Sequence, residues 1–249
     1  MIGYQATCEE LRGVWTAVPV DLVILRKIDS TNRLARSIVR ELAEDEIEAR
    51  RTFFLAWEQT AGRGRLGRRW ISPPGVGVYG TLLLPVTPEI ATRTLPLLTA
   101  TALCRSVNGW IDSSCRLKWP NDLLVEGRKI GGILIQASVR SDGTGHAALG
   151  FGINYGDPGS GVELPEATAL FRETEEPPSF PETVLGLVRG LLRALDHADD
   201  PEWCVESFRQ LSAHEPGDTM RCRVGEEEVR GRFVRLTEEG SLVLDTGEG

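Results

Sequence analysis

The chain has 249 residues, of which 41% are apolar and 26% are charged, and its formal net charge is −8. This length predicts one sizeable core plus a small second module, and the acidic balance disfavours sequence-independent binding to nucleic acid, which needs many contacts from Lys and Arg to phosphates. No run of eighteen apolar residues is present to span a bilayer, and the N-terminus lacks the apolar core of a signal peptide.

The first predicted element is an amphipathic helix. Residues 29–51 open with residues typical of helix caps and then place apolar side chains at helical spacing, with charges on the other face. Ser30 and Thr31 are therefore expected to cap this helix. Two strand-like apolar runs follow, at 52–57 and 76–84.

A basic loop lies between these two strands, at residues 62–70, with the sequence GRGRLGRRW. Arginine offers a planar fork of donors that matches carboxylate and phosphate oxygens, and glycine lets the backbone approach an anion closely. The loop matches neither the Walker phosphate loop nor a GxGxxG motif at a strand-to-helix turn. A solvated surface loop is the alternative interpretation. The position between two strands favours a loop that holds a negatively charged group.

The central part of the chain alternates between helix and strand. A long, mostly apolar helix is predicted for 89–110, and Pro96 is expected to kink it. Residues 115–139 indicate a strand, a Pro-Asn-Asp turn and then a hairpin with a Glu-Gly-Arg tip. Residues 146–154 indicate a buried strand, and 155–167 a loop.

The last third of the chain changes character near residue 215. Helices are predicted for 181–197 and 201–213, and short strands joined by turns follow, which predicts a small β-barrel or meander. We therefore expect two domains, 1–214 and 215–249.

Cysteine and histidine usage excludes several kinds of site. The five cysteines are scattered and form no CxxC pair, which argues against a zinc site or a disulfide framework and favours a reducing cytosol. None of the three histidines lies near a Ser or Cys signature, so no catalytic triad is indicated.

Several blocks of the chain together resemble the biotin protein ligases, enzymes that join biotin to a lysine of a carboxylase carrier domain. The matching blocks are DSTN at 29–32, EQTAGRGRLGRRWISPPG at 58–75, KWPNDLLVEGRKIGGIL at 118–134, GFGIN at 150–154, LPEAT at 164–168 and the ending GSLVLDTGEG. The fold that this resemblance implies is α+β, with a mixed β-sheet backed by helices (class II synthetase-like) and a small C-terminal SH3-like β-barrel.

The resemblance also implies the site residues. A carboxylate is a poor acyl donor and must be activated as an acyl-adenylate, so preorganised cations are needed where two anions meet. The implied catalytic residues are Arg65 and Lys129. The implied biotin contacts are Ser30, Thr31, Asn32, Gln59, Gly62, Arg63, Gly64, Arg65, Lys129 and Gly132. The implied adenylate contacts are Arg68, Trp70, Asn121, Asp122 and Asn154.

Some of these residues also fit a plainer role. The turn at 118–122 is also explained as a simple connection between two strands, and Asn154 as part of a turn at the end of a strand. Gly131 and Gly132 are expected to let the backbone press against the ligand.

The implied activity has two steps. Biotin and ATP form biotinyl-5′-AMP, and a lysine of a biotin carboxyl carrier protein then takes the biotinyl group. ATP chemistry implies Mg²⁺, although no carboxylate cluster marks a metal cage and no metal ligand is predicted. We expect a cytoplasmic monomer or homodimer with no nucleic-acid or membrane partner. The alternatives are a lipoate or octanoate transferase of the same fold, and a non-catalytic biotin-sensing module.

The chain departs from the family pattern in four places. The residues before Asp29 are too few for the DNA-binding winged helix that many members carry, so repressor activity is not expected. Gln136 stands where glutamate is usual, and Gly131 where alanine is frequent. The C-terminal module is expected to be incomplete, because the chain ends before the last strand of the barrel.

Overall fold

The computed structural model describes residues 3–44, 49–87, 94–139, 143, 145–157, 166–225 and 227–247. A seven-stranded mixed sheet forms its centre, in the order β1-β2-β3-β7-β6-β5-β4. Strands β1 and β2 are parallel, and every other neighbouring pair is antiparallel. The strands are β1 Asp21–Leu25, β2 Thr52–Ala56, β3 Gly77–Val86, β4 Cys115–Lys118, β5 Asp122–Val125, β6 Arg128–Val139 and β7 Gly145–Asn154.

Helices cover both faces of this sheet. Of the described helices, the second packs by itself on one face, against a small cluster that includes Phe54, Leu83 and Ala148. The sheet residues next to these in sequence face the other side, since side chains alternate along a strand, and there they join the main core. The helices are α1 Tyr4–Val14, α2 Thr31–Glu44, α3 Leu95–Asn108, α4 Leu170–Glu173, α5 Phe180–Ala194 and α6 Pro201–Gln210.

The mixed α+β class and most of the predicted elements are confirmed. The kink expected at Pro96 is wrong, because helix α3 begins at Leu95 and places this proline in its first turn. There the missing N–H costs no helical hydrogen bond. Residues 89–93 of the predicted helix lie outside the described residues. Helix α1 and strand β1 were not predicted.

The C-terminal module is an open antiparallel sheet, in the order β10-β9-β8. Its strands are Thr219–Val224, Glu227–Leu236 and Leu242–Asp245. The described residues of this module form no closed barrel, so the expected SH3-like barrel is corrected to a three-stranded sheet. The division of the chain into 1–214 and 215–249 stays a prediction.

The C-terminal sheet is attached to the central sheet through the turn between β9 and β10. The indole N–H of Trp119, next to strand β4, donates to the carbonyl of Gly240 at 3.1 Å. Gly240 has a φ of 77° and packs on Leu97 of helix α3, where a Cβ would overlap the leucine side chain. Only glycine suits both the left-handed backbone and the close approach.

We expect Gly240→Ala to destabilise the protein by about 1–3 kcal/mol, because the added methyl group overpacks a buried contact. Gly217→Ala is the matched control, since Gly217 also has a positive φ but open space around it. Thermal unfolding followed by circular dichroism measures both variants. Equal losses of Tm would show that backbone strain alone matters at Gly240.

Candidate functional site

A cavity of about 730 Å³ opens over the central sheet, on the face that carries helix α2. Its walls are the start of α2, the basic hairpin at 62–70, the turn at 118–122 and part of strand β8. The cavity brings together thirteen of the predicted site residues: Ser30, Thr31, Asn32, Gln59, Arg63, Gly64, Arg65, Arg68, Trp70, Asn121, Asp122, Lys129 and Gly132.

The floor of the cavity is a stretch of sheet without side chains. Gly150 and Gly152 on β7 face the cavity, and Gly132 on β6 pairs directly with Gly152. A Cβ at Gly150 would overlap the side chain of Asn32, and one at Gly152 would overlap the indole of Trp70. The polar and aromatic groups of the site therefore lie directly on the backbone of the sheet.

The start of helix α2 is capped by a side chain from another segment. The side-chain carbonyl of Gln59 accepts from the N–H of Thr31 at 2.9 Å and lies 3.2 Å from its hydroxyl. The amide nitrogen of Gln59 donates to the hydroxyl of Ser72 at 3.1 Å. The helix begins at Thr31 and Gln59 supplies its side-chain cap, so the capping role expected of Ser30 and Thr31 is wrong. The hydroxyl of Ser30 lines the cavity and has no hydrogen-bond partner in the described part of the chain.

Asn32 connects helix α2 to the middle of the sheet. Its amide nitrogen donates to the carbonyl of Leu134 at 2.9 Å, and its Oδ1 accepts from the hydroxyl of Thr81 at 2.6 Å. Gln136 lies 3.4 Å away and is a neutral acceptor at the position where the family pattern has glutamate. This end of the cavity is thus a buried network of neutral donors and acceptors.

The basic loop forms a short hairpin. The N–H of Gly64 donates to the carbonyl of Arg68 at 2.8 Å, and the N–H of Trp70 donates to the carbonyl of Gly62 at 2.9 Å. Leu66 stands at the tip in the left-handed region, with φ 55°, and is 67% exposed. The residues in the described ranges give Arg63, Arg65 and Arg68 no ion pair.

Lys129 reaches the same cavity from strand β6. Its Nζ lies 2.5 Å from Oδ1 of Asp122 and 5.3 Å from the ring centroid of Trp70. The pairing of β5 with β6 shifts register beside Lys129, so Ile130 is an extra residue that points into the core. This bulge turns the lysine to the cavity face, where its Cε would touch a Cβ at Gly132.

Two predicted contacts do not line the cavity. Gly62 begins the hairpin and does not line the cavity, and a Cβ there would come within 2.5 Å of the Trp70 carbonyl. Asn154 uses its amide nitrogen to hold the carbonyls of Lys129, at 3.3 Å, and Thr168, at 2.9 Å. Their ligand contacts stay predictions, and their observed role is to support the walls.

Gly131 and Gly132 have different roles. A Cβ at Gly131 would lie 2.5 Å from Cδ1 of Ile153, so this glycine is needed for packing against strand β7. Gly132 alone of the two faces the cavity. The expectation that both press against a ligand is therefore wrong for Gly131.

The C-terminal sheet supplies lining residues that the sequence analysis missed. Arg221 and Arg223 on strand β8 and Glu228 on strand β9 line the cavity opposite the basic hairpin. Arginines two residues apart on a strand point to the same face. That spacing in MRCRV was the available signal, but nothing in the sequence shows which face meets the site.

His214 lines the cavity where the chain passes from α6 to the C-terminal sheet. Its ring packs edge-on against Phe233, with centroids 6.3 Å apart, and its Nε2 is buried without a partner among the described residues. Burial lowers the pKa of His214 below its usual value, because the charged imidazolium loses hydration there.

The described residues build no metal cage. No group of three or more His, Cys, Asp or Glu side chains comes together within the described ranges. The acidic residues that line the cavity are Asp122 and Glu228, and Asp122 is paired with Lys129. This donor set does not fit a protein-held Mg²⁺, which takes near-octahedral oxygen coordination.

Within the described ranges, every helix is too short or too polar to cross a bilayer.

Comparison with known proteins places these observations in a family. The model of the Biotin/lipoate A/B protein ligase family matches residues 24–154. The chain is similar to the biotin–[acetyl-CoA-carboxylase] ligase of Paracoccus denitrificans, with 32% identity over 89% of this chain and 92% of that protein. It is also similar to the bifunctional ligase/repressor BirA of Bacillus spizizenii, with 29% identity over 89% of this chain and 68% of that protein.

A solved structure of the same kind matches most of the chain. The biotin protein ligase of Aquifex aeolicus, in complex with biotin and ATP, matches with a TM-score of 0.72 and 27% identity. The match covers 92% of this chain and 93% of that chain.

The lowered pKa of His214 predicts a pH dependence of stability. The unfolded chain binds a proton on this histidine near pH 6.5, while the folded protein resists it, so stability is lost as the pH falls below about 6.5. We expect His214→Phe to lose less stability than the unmodified protein between pH 7 and pH 5.5. Urea unfolding at both pH values tests this, and equal losses in the two proteins would contradict it.

Proposed function

Because the chain belongs to the Biotin/lipoate A/B protein ligase family, we propose that it is an ATP-dependent biotin protein ligase. It activates biotin as biotinyl-5′-AMP and transfers the biotinyl group to a lysine of a biotin carboxyl carrier protein. The observation that carries this proposal is one cavity with a neutral polar end at Asn32 and Gln59 and a cationic end at Arg65 and Lys129.

In the first step, a carboxylate oxygen of biotin attacks the α-phosphorus of ATP, and the bond to the β-phosphate breaks to release pyrophosphate. Two anions must approach each other for this bond to form. Arg65 and Lys129, which reach the cavity from separate segments, stabilise the negative charge that the transition state concentrates there. Arg63 and Arg68 on the same hairpin add to the positive potential around the phosphates.

Asp122 forms an ion pair with the ammonium of Lys129. An unpaired lysine in this partly enclosed site would lose hydration without compensation. When the anionic substrates enter, the ammonium exchanges one carboxylate partner for another charged oxygen. The ion pair thus keeps Lys129 inside the site and ready for the first step.

The neutral end suits the ureido ring of biotin, which carries N–H donors and a carbonyl acceptor and no charge. The hydroxyl of Ser30, the side chain of Asn32 and that of Gln59 line this end. A fatty acyl chain of octanoate would offer no partner to the Ser30 hydroxyl, which has none among the described residues, and an unpaired buried polar group costs about 1–3 kcal/mol. The neutral network therefore favours biotin over the lipoate or octanoate alternative.

On the nucleotide side, Trp70 offers an aromatic face, and Asn121 and Asp122 line the turn beside it. A Mg²⁺ ion bound to ATP would supply further positive charge at the phosphates, and no group of described residues fits it as a protein-held metal. Asn121 is itself fixed by two hydrogen bonds to Ile133. Its side-chain amide donates to the Ile133 carbonyl at 3.0 Å, and its main-chain carbonyl accepts from the Ile133 N–H at 3.0 Å.

In the second step, the neutral amine of the carrier lysine attacks the acyl carbon. A new C–N bond forms, the bond to the phosphate oxygen breaks, AMP leaves, and the amine gives up a proton. Water must be kept from the adenylate in the meantime. The basic hairpin, whose glycines permit rearrangement, is the element that we expect to cover the adenylate.

We propose that the protein acts in the cytoplasm, as a monomer or homodimer, without nucleic acid.

Labelled biotin, ATP and a purified carrier domain test the proposed activity. We expect label on one lysine of the carrier and none without ATP. We also expect none when labelled lipoate replaces labelled biotin. Lys129→Ala should reduce the rate by about 100-fold or more, because it removes a preorganised charge from the transition state. Arg172→Gln, which breaks an exposed ion pair with Asp157, is the matched control. Modification by lipoate, or binding of biotin without transfer, would overturn the assignment.

Arg65 is expected to retain the adenylate as well as to help form it. Arg65→Gly should release biotinyl-5′-AMP into solution and label bystander lysines, since the bidentate contact to its anionic group is lost. Arg65→Lys keeps the charge but loses the fork, and should retain the adenylate poorly. Gel filtration of the loaded enzyme measures retention. Retention by Arg65→Gly equal to that of the unmodified enzyme would refute this role.

A further inference from the structure

A buried carboxylate lies behind the active-site cavity, and no step described above uses it. Glu173 ends the short helix α4, and its side chain is only 4% exposed. It does not line the cavity. Burying an ionised carboxylate is costly unless it is paired and hydrogen-bonded, so its partners indicate what it does.

Glu173 has three side-chain partners. Its Oε1 lies 3.0 Å from Nη2 of Arg128 and also accepts from the hydroxyl of Thr168. Its Oε2 accepts from the hydroxyl of Ser113 at 3.4 Å. One carboxylate thus joins the first residue of strand β6, the segment before α4 and the loop before β4.

Two of these partners adjoin Lys129. Arg128 precedes it in the chain, and the N–H of Thr168 donates to the Lys129 carbonyl at 2.9 Å. The N–H of Lys129 donates to the carbonyl of Glu166 at 2.7 Å, so residues 166–168 pair with Lys129 like a short parallel strand.

This added pairing lies where the regular pairing of strand β6 is interrupted. Pairing of β6 with β7 begins only at Gly131, and pairing with β5 shifts register at the bulged Ile130. The N–H and the carbonyl of Lys129 both bond to residues 166–168, and the side-chain amide of Asn154 also donates to that carbonyl, at 3.3 Å. Residues 166–168 are held in turn by Glu173.

We propose that Glu173 is a positioning residue for Lys129. Through Arg128 and Thr168 it fixes the strand-like segment 166–168, and this segment fixes the bulged backbone that directs the ammonium into the cavity. A lysine has a flexible four-carbon stem, so a shift of its backbone moves the ammonium relative to the reacting oxygens. Such misplacements by about 1 Å reduce catalysis by about 100-fold.

This inference rests on the proposed role of Lys129, and the experiment separates the two. Biotin-dependent exchange of pyrophosphate into ATP measures adenylate formation in Glu173→Gln, Lys129→Ala and the double variant. Alone, Glu173→Gln should lower kcat about 10- to 100-fold, with KM for biotin changed less than about twofold, because the neutral end of the cavity is untouched. In the Lys129→Ala background it should change the residual rate less than about twofold, because the group that it positions is gone.

Partner variants supply a rescue test. Glu173→Gln leaves the guanidinium of Arg128 without its buried partner, so adding Arg128→Gln should restore part of kcat. Thr168→Val breaks one hydrogen bond of the carboxylate without changing any charge, and it replaces Glu173→Gln should that variant not fold. Arg172→Gln on the same short helix is the control, and we expect its kcat to equal that of the unmodified protein.

The outcomes are distinct. Loss of kcat by the same factor with and without Lys129, or a loss of activity fully accounted for by a smaller folded fraction, would overturn the inference and make Glu173 a purely structural group. An unmodified protein that forms no adenylate from biotin would instead refute the proposed function.

Discussion

The whole site depends on the bare face of the central sheet. Gly150, Gly152 and Gly132 present backbone where other strands present side chains, so Asn32, Trp70 and Lys129 lie directly on the sheet. A single methyl group on either glycine of β7 would displace one of these side chains. Glycine weakens a strand interior, but here the strands are buried between neighbours on both sides, which offsets that loss.

This floor separates the cavity into two chemical environments. At one end, Asn32 is satisfied by Thr81 and Leu134, so it is held in one orientation before any ligand arrives. At the other end, arginines of the hairpin have no ion pair with described residues, in a chain of net charge −8. Such a concentrated positive field attracts anions and raises their local concentration. Orientation and attraction are thus provided by different segments.

The sequence predicts the elements with clear periodicity and misses those that depend on tertiary partners. The amphipathic pattern of α2 and the hairpin of β5 and β6 are local signals, and both are confirmed. Strand β1 has only five residues and pairs with β2 across a helix, so no local pattern marks it. Gln59 caps α2 although it lies 28 residues away from Thr31 in the chain. Arg221 points toward the cavity only because of the way the C-terminal sheet packs beside it.

The same limit explains why Gly131 and Gly132 cannot be told apart from sequence. Regular alternation would place Lys129 and Gly131 on one face, and the bulge at Ile130 places Lys129 with Gly132 instead. The result is a lysine fixed on a strand that is tied down on both sides, facing arginines on a hairpin joined mainly by its own backbone hydrogen bonds. Like charges on that hairpin repel one another until an anion enters, so ligand binding removes a repulsion that the free protein carries. Charge as well as glycine content therefore supports the proposal that the hairpin covers the bound adenylate.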